Sequence, residues 1–209
     1  MNQISEYHNI PEEHSLILLI LLEKVSNILD LNSIPYFIDG GTLLGAVRHK
    51  NRILYDDDVD IGVLNQDFQK LLHILEKISD EKYQINILKS TDNLIKVFVP
   101  NMWVKNKITG KIIGTPTLDI FRYEVKGDKI RLYSTLDRQK FKNCYYLKSE
   151  FYPLKKIPFS VLSVYAANNP LGYLHRYYGS DCLTNCIPDF RCEGDIFEKE
   201  SKSKDIIKF

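Results

Sequence analysis

The sequence predicts an α+β fold in a single domain, and three observations carry that prediction. Segments with apolar residues three or four apart recur through the first eighty residues. Short runs rich in Val, Ile, Phe and Tyr lie between them and follow one another up to Tyr133. No internal repeat breaks the chain into copies of a smaller unit. With 209 residues, one sizeable core is affordable, and 44% hydrophobic with 26% charged residues is the composition of an ordinary globular protein. A net charge of +1 with no basic run gives no general field for a polyanion, so nucleic acid is not an expected partner.

Taken in order, residues 1–11 are polar and precede a helix over Glu13 to Leu31. Its apolar positions include Leu16, Leu19, Ile20, Val25, Ile28 and Leu29. The stretch Ser15 to Leu22 is apolar nearly all round, which predicts packing on more than one side. Asn32-Ser33-Ile34-Pro35 is turn chemistry, after which Tyr36 to Asp39 reads as a short strand ending at Gly40-Gly41. Thr42 is read as the N-cap of a helix reaching His49, with Leu43, Leu44 and Val47 inward. Val59, Ile61 and Val63 define one buried face of the next strand, and Asp58 and Asp60 share the other.

Asp67 to Ser79 is an amphipathic helix, and strands follow over Tyr83 to Leu88 and Leu94 to Val99 around a Lys89 to Asn93 turn. A hairpin about Thr109-Gly110 joins Met102 to Val104 with Lys111 to Ile113. Thr117 to Val125 is a strand that Lys126-Gly127-Asp128 turns into another over Lys129 to Tyr133. Tyr145 to Pro158 fits extended structure with turns. Asn169 as cap and Pro170 as first residue open a last helix that Gly179 closes. The domain core is expected over about 16–190, and the charged tail Glu198 to Lys204, with little to bury, is expected to be mobile.

Cys144, Cys182, Cys186 and Cys192 form no C-x-x-C pair and fit no zinc module. They are expected as free thiols of the cytoplasm or another reducing compartment. The apolar run Leu16 to Leu22 follows Glu12 and Glu13 where a signal peptide wants positive charge, and it is too short to span a bilayer. No integral membrane segment is expected.

The chemistry concentrates in two stretches. Carboxylates at i and i+2 of a strand stand roughly 6.6 Å apart on one face, close enough for their oxygens to converge on a divalent ion. Asp58 and Asp60 meet that condition. Glycines at a strand-to-helix turn let backbone N–H groups approach a phosphate, and the helix dipole adds to the attraction. Gly40 and Gly41 stand at such a turn. A third acid would complete a phosphoryl-transfer site, and Asp119, alone in the apolar run Leu118 to Phe121, is costly there unless it is paired or bound to metal. A calcium loop beginning at Asp56 fails at Ile61, where it needs glycine, and at Asp67, where it wants Glu.

The block Asp39-Gly40-Gly41-Thr42-Leu43-Leu44-Gly45-Ala46-Val47-Arg48-His49, with Tyr55-Asp56-Asp57-Asp58-Val59-Asp60-Ile61-Gly62, resembles the LicD family. That family includes bacterial phosphorylcholine transferases and animal fukutin-related ribitol-phosphate transferases. The resemblance extends to Leu118-Asp119-Ile120-Phe121, to Tyr152 through Phe159, and to Asn169-Pro170 leading into Tyr177-Tyr178-Gly179. Tyr55 stands where tryptophan is common in the family.

The resemblance implies a nucleotidyltransferase-like mixed β-sheet with flanking helices. It implies Mg²⁺, with Mn²⁺ as a substitute, on Asp58, Asp60 and Asp119, and contact of Gly40, Gly41 and Thr42 with the diphosphate of a CDP-linked donor. The implied reaction moves a phospho-alcohol, phosphocholine or a polyol phosphate, to a glycan hydroxyl and releases CMP. Asp119 or Asp56 takes the acceptor proton in this reading, and Arg48 faces the leaving phosphate unless it is an exposed helical arginine. Lys155 and Lys156 are a solvated basic pair or glycan contacts; His49 and His175 receive no role. Two other readings stay open: transfer of NMP from an NTP, and a non-catalytic glycan- or nucleotide-binding module.

Overall fold

The computed structural model describes residues 12–53, 56–78, 86–91, 93–99, 104–105, 112–114, 116–186 and 207–208. The chain opens with α1 (Glu12–Leu31), β1 (Tyr36–Ile38), α2 (Gly40–His49), β2 (Asp58–Leu64) and α3 (Asn65–Ile78). Then come β3 (Asn86–Thr91), β4 (Leu94–Phe98), β5 (Val104–Lys105), β6 (Ile112–Gly114), β7 (Thr117–Lys126) and β8 (Lys129–Leu132). The remainder is α4 (Thr135–Lys140), β9 (Tyr145–Leu147), α5 (Lys148–Phe151), β10 (Lys155–Phe159), β11 (Leu162–Ala166), α6 (Leu171–Tyr178), β12 (Asn185–Cys186) and β13 (Ile207–Lys208).

Seven strands make one sheet in the order β1-β2-β7-β4-β3, with β8 on the far half of β7 and β9 beside β8. β2 and β7 run parallel and the other neighbours antiparallel, so the expected mixed sheet is present. A parallel pair needs a long crossover, which here is α3 with the intervening β3 to β6 segment. Smaller two-stranded ladders join β5 to β6, β10 to β11 and β12 to β13.

α1 buries Ile17, Leu18, Leu21, Leu22, Val25, Ile28 and Leu29 along one face, while Leu16 and Ile20 face outward, so the packing on more than one side expected of this helix is not found. Phe37 anchors an aromatic cluster with edge contacts to Tyr123, Tyr146 and Phe151. Its register partner is Gly62, and a Cβ there would run into the Phe37 ring. Glycine at this strand position makes room for the aromatic side chain beside it.

Four boundaries differ from expectation. Thr42 does not cap α2: the helix starts at Gly40, whose φ of +52° lets the chain turn straight out of β1, and Asp39 takes the cap position. The turn expected at Lys89 is delayed, because β3 continues to Thr91 through an irregular register with β4. Pro170 rather than Asn169 precedes the last helix. Within Tyr145 to Pro158, Glu150 accepts the Leu147 N–H at 2.9 Å and closes the start of the short helix α5.

Among the described residues no helix is long and apolar enough to cross a membrane. Cys144 and Cys182 are buried free thiols. Cys192 and the tail Glu198 to Lys204 lie outside the described residues.

Candidate metal and phosphate site

The parallel register of β2 and β7 sets Asp60 opposite Asp119, and the antiparallel register of β7 and β4 sets Asp119 opposite Lys96. Directly paired residues project to the same face, so Asp60, Asp119 and Lys96 form a row across three strands. Asp58, two residues before Asp60, joins the same face. Carboxylate oxygens of Asp58, Asp60 and Asp119 all lie within 4.8 Å of one another, and Asp56, Asp57 and Asp58 form a second such group.

Asp119 is 4% exposed. Its Oδ2 accepts from Lys96 Nζ in an ion pair, while its Oδ1 is buried with no hydrogen-bond partner. Burial and mutual repulsion act together on these acids. Burial, then the charges of Asp58 and Asp119, pushes Asp60 well above the usual carboxylate range. Asp56 is raised by burial and then by Asp58 and Asp57. Asp58 is lifted to about 6 by burial and by Asp119 and Asp57, with Lys96 pulling the other way. Burial raises Asp119 as well, against the opposing pull of Lys96. A set of hard oxygen donors that repel one another, one with an unused buried oxygen, could hold a metal cation.

The glycine pair works differently from a bare phosphate cradle. A Cβ on Gly40 would stand 2.8 Å from Asp60 Oδ2, and one on Gly41 would stand 2.6 Å from Asp56 Oδ2. Both glycines admit carboxylates against the positive end of α2. The Asp39 N–H donates to the Asp60 carbonyl at 3.0 Å, and the Asp60 N–H donates to Thr42 Oγ1 at 2.8 Å. Thr42 is 2% exposed, so its hydroxyl ties α2 to β2.

Asp39 makes no side-chain bond to the first turn it caps. Its Oδ1 accepts from the Tyr146 hydroxyl at 2.7 Å, and its Oδ2 accepts from the Tyr123 hydroxyl. The Tyr123 hydroxyl also lies 3.2 Å from Cys144 Sγ. The helix start is thereby fixed from beneath while its first-turn amides receive nothing from the cap side chain.

The loop between α2 and β2 is pinned to α1. His14, whose charged form burial disfavours, donates from Nε2 to the Asp57 carbonyl at 2.9 Å. Arg52 donates from Nη1 to the carbonyls of Ile53 at 2.8 Å and Asp56 at 3.3 Å, and from Nη2 to Ser15 Oγ.

Of the residues expected from sequence, Asp58, Asp60, Asp119, Gly40 and Gly41 come together. Arg48 sits in the last turn of α2, its backbone roughly 12 Å along the axis from Gly40, and close enough to Cys182 for its charge to favour the thiolate. Lys156 pairs with Asp30 at 3.3 Å and lies over the Tyr165 ring. Sequence reasoning missed Lys96, Asp39 with its two tyrosines, and the His14 and Arg52 anchors. A charged Lys within the alternating strand Leu94 to Phe98 was the available signal for the first.

The family described as LicD/FKTN/FKRP, nucleotidyltransferase domain, matches residues 33–169. An uncharacterized protein of Rickettsia typhi is 34% identical over 176 residues, covering 84% of this chain and 50% of that protein. The lipopolysaccharide cholinephosphotransferase LicD of Haemophilus influenzae is 29% identical over 91 residues, covering 41% of this chain and 34% of that protein. The chain thus spans about half or less of the length of these relatives. Among solved structures, the lincosamide adenylyltransferase LnuA is 14% identical with a TM-score of 0.47, covering 84% of this chain and 98% of that one.

Proposed function

The chain belongs to the LicD/FKTN/FKRP family of nucleotidyltransferase domains, and from that premise we propose that it is a metal-dependent phosphotransferase. It moves a phospho-alcohol, phosphocholine or a polyol phosphate, from a CDP-linked donor to a glycan hydroxyl and releases CMP. The observation that carries the reading is the convergence of Asp58, Asp60 and Asp119 within 4.8 Å, with an unused buried oxygen on Asp119. The lipopolysaccharide cholinephosphotransferase among the relatives supports the transferred group and the acceptor class.

In this reading the three carboxylates hold Mg²⁺ or Mn²⁺, which when bound neutralises charge on the phosphate oxygens. The first-turn amides of α2, beside Gly40 and Gly41, donate to the donor diphosphate. The acceptor oxygen forms a bond to the distal phosphorus, the bond from that phosphorus to the bridging oxygen breaks, and CMP leaves with the bridging oxygen. The acceptor proton goes to a carboxylate. Asp56 suits that task better than Asp119, because Asp119 is committed to Lys96.

Incubation with CDP-alcohols, NDP-sugars and NTPs in Mg²⁺, followed by identification of the nucleotide product, tests the proposal. CMP formation that EDTA abolishes is the expected result. Release of pyrophosphate from an NTP would replace it with nucleotidyl transfer, and ligand binding without turnover would make the chain a binding module.

A further inference from the structure

We infer that Lys96 is the residue that lets the metal-loaded acidic site accept an anionic diphosphate, and that it does so at the expense of metal affinity. The inference rests on the reading of the triad as a metal site and adds a residue that no family resemblance assigned. Lys96 stands in the cross-strand row with Asp119 and Asp60, its ammonium paired to Asp119 Oδ2. Its side chain is 31% exposed whereas that of Asp119 is 6% exposed, so the ammonium sits where the buried Asp119 carboxylate meets solvent.

Charge counting gives the role. Three carboxylates bring three negative charges and one divalent cation removes two, which leaves a net negative site facing a negatively charged ligand. Asp56 and Asp57, grouped with Asp58, deepen the deficit. Lys96 supplies the charge that brings the loaded triad to neutrality. Its ammonium has three donors, and the pair with Asp119 uses one, so two are left for phosphate oxygens. The same positive charge repels a divalent ion held on the shared carboxylates.

The two effects have opposite signs, which separates this role from a structural one. In Lys96→Met at pH 8, Mn²⁺ affinity measured by titration calorimetry should tighten about threefold or more. In the same variant, inorganic pyrophosphate affinity at a fixed saturating Mn²⁺ concentration should weaken about tenfold or more. Lys96→Arg should keep most of the pyrophosphate affinity. If both affinities fall together, Lys96 merely holds the site in shape, and if pyrophosphate binding is unchanged it does not meet the anion; either result overturns the inference while leaving the metal site standing. A wild-type protein that takes up no Mn²⁺ would remove the metal-site reading and this inference with it.

Discussion

Two acidic regions lie near the start of α2, and they are built on opposite terms. Beneath it, Asp39 is 4% exposed and both its oxygens accept from tyrosine hydroxyls. Above it, Asp58, Asp60 and Asp119 crowd within 4.8 Å, repel one another, and leave Asp119 Oδ1 without a partner. A carboxylate whose lone pairs are met by fixed donors is architecture, because its burial is already compensated. Carboxylates crowded around a buried one, with a single lysine to offset them, are costly until a cation arrives, and a fold keeps such a cluster for what it binds.

The sharpest way to break the contrast is to neutralise one acid in each region. Asp58→Asn or Asp60→Asn should lower turnover by about a thousandfold in steady-state assays, the scale of losing a main electrostatic group. The metal-free variants should unfold at the same or higher denaturant concentration, since a repulsion is relieved. Asp39→Asn should do the reverse, costing about 1–3 kcal/mol in equilibrium denaturation while Mn²⁺ uptake persists.

pH separates the regions next. Asp58 is raised from 3.8 to about 6, and Asp56, Asp60 and Asp119 are raised too. Carboxylates with raised folded-state values favour the folded state fully below pH 3.8, and that contribution is lost as pH rises through 6 and beyond. Metal-free protein should therefore lose thermal stability between pH 4 and 7 from this cluster. Mn²⁺ should raise the melting temperature at pH 8 far more than at pH 5, as scanning calorimetry would register. A metal response equal at both pH values would contradict the account.

The smallest effect belongs to a pair outside both regions. Lys156 and Asp30 meet at 3.3 Å with both side chains more than 40% exposed. Lys156→Ala should change stability by under about 1 kcal/mol in denaturant titration and leave turnover unchanged. A large loss of activity would instead place this lysine in acceptor binding.

Much of the upper region was legible in the sequence, and almost none of the lower one. The alternation of Asp58, Val59, Asp60 and Ile61 fixes which face the acids share, and a lone acid among Leu118, Ile120 and Phe121 announces a partner. What no local pattern holds is register: Asp60 and Asp119 become neighbours only because β2 and β7 pair in parallel across a long crossover. Lys96 follows from the antiparallel pairing of β4 with β7 and, read alone, is an outward-facing lysine. Asp39 looks like a helix cap by position and residue type, yet its carboxylate turns to Tyr123 and Tyr146, which arrive from strands far along the chain. The helix α4 escaped for a different reason. It buries no residue, so it has no apolar periodicity, and its start rests on Ser134 accepting the Asp137 N–H at 3.2 Å.

The central claim is that the triad is a cation site, and Mn²⁺ titration of the wild type beside Asp119→Asn at pH 8 tests it most directly. The account predicts saturable Mn²⁺ binding in the wild type and a loss of at least about tenfold in affinity in the variant, because the unused buried oxygen of Asp119 is a ligand. Equal Mn²⁺ binding by the two proteins would contradict it.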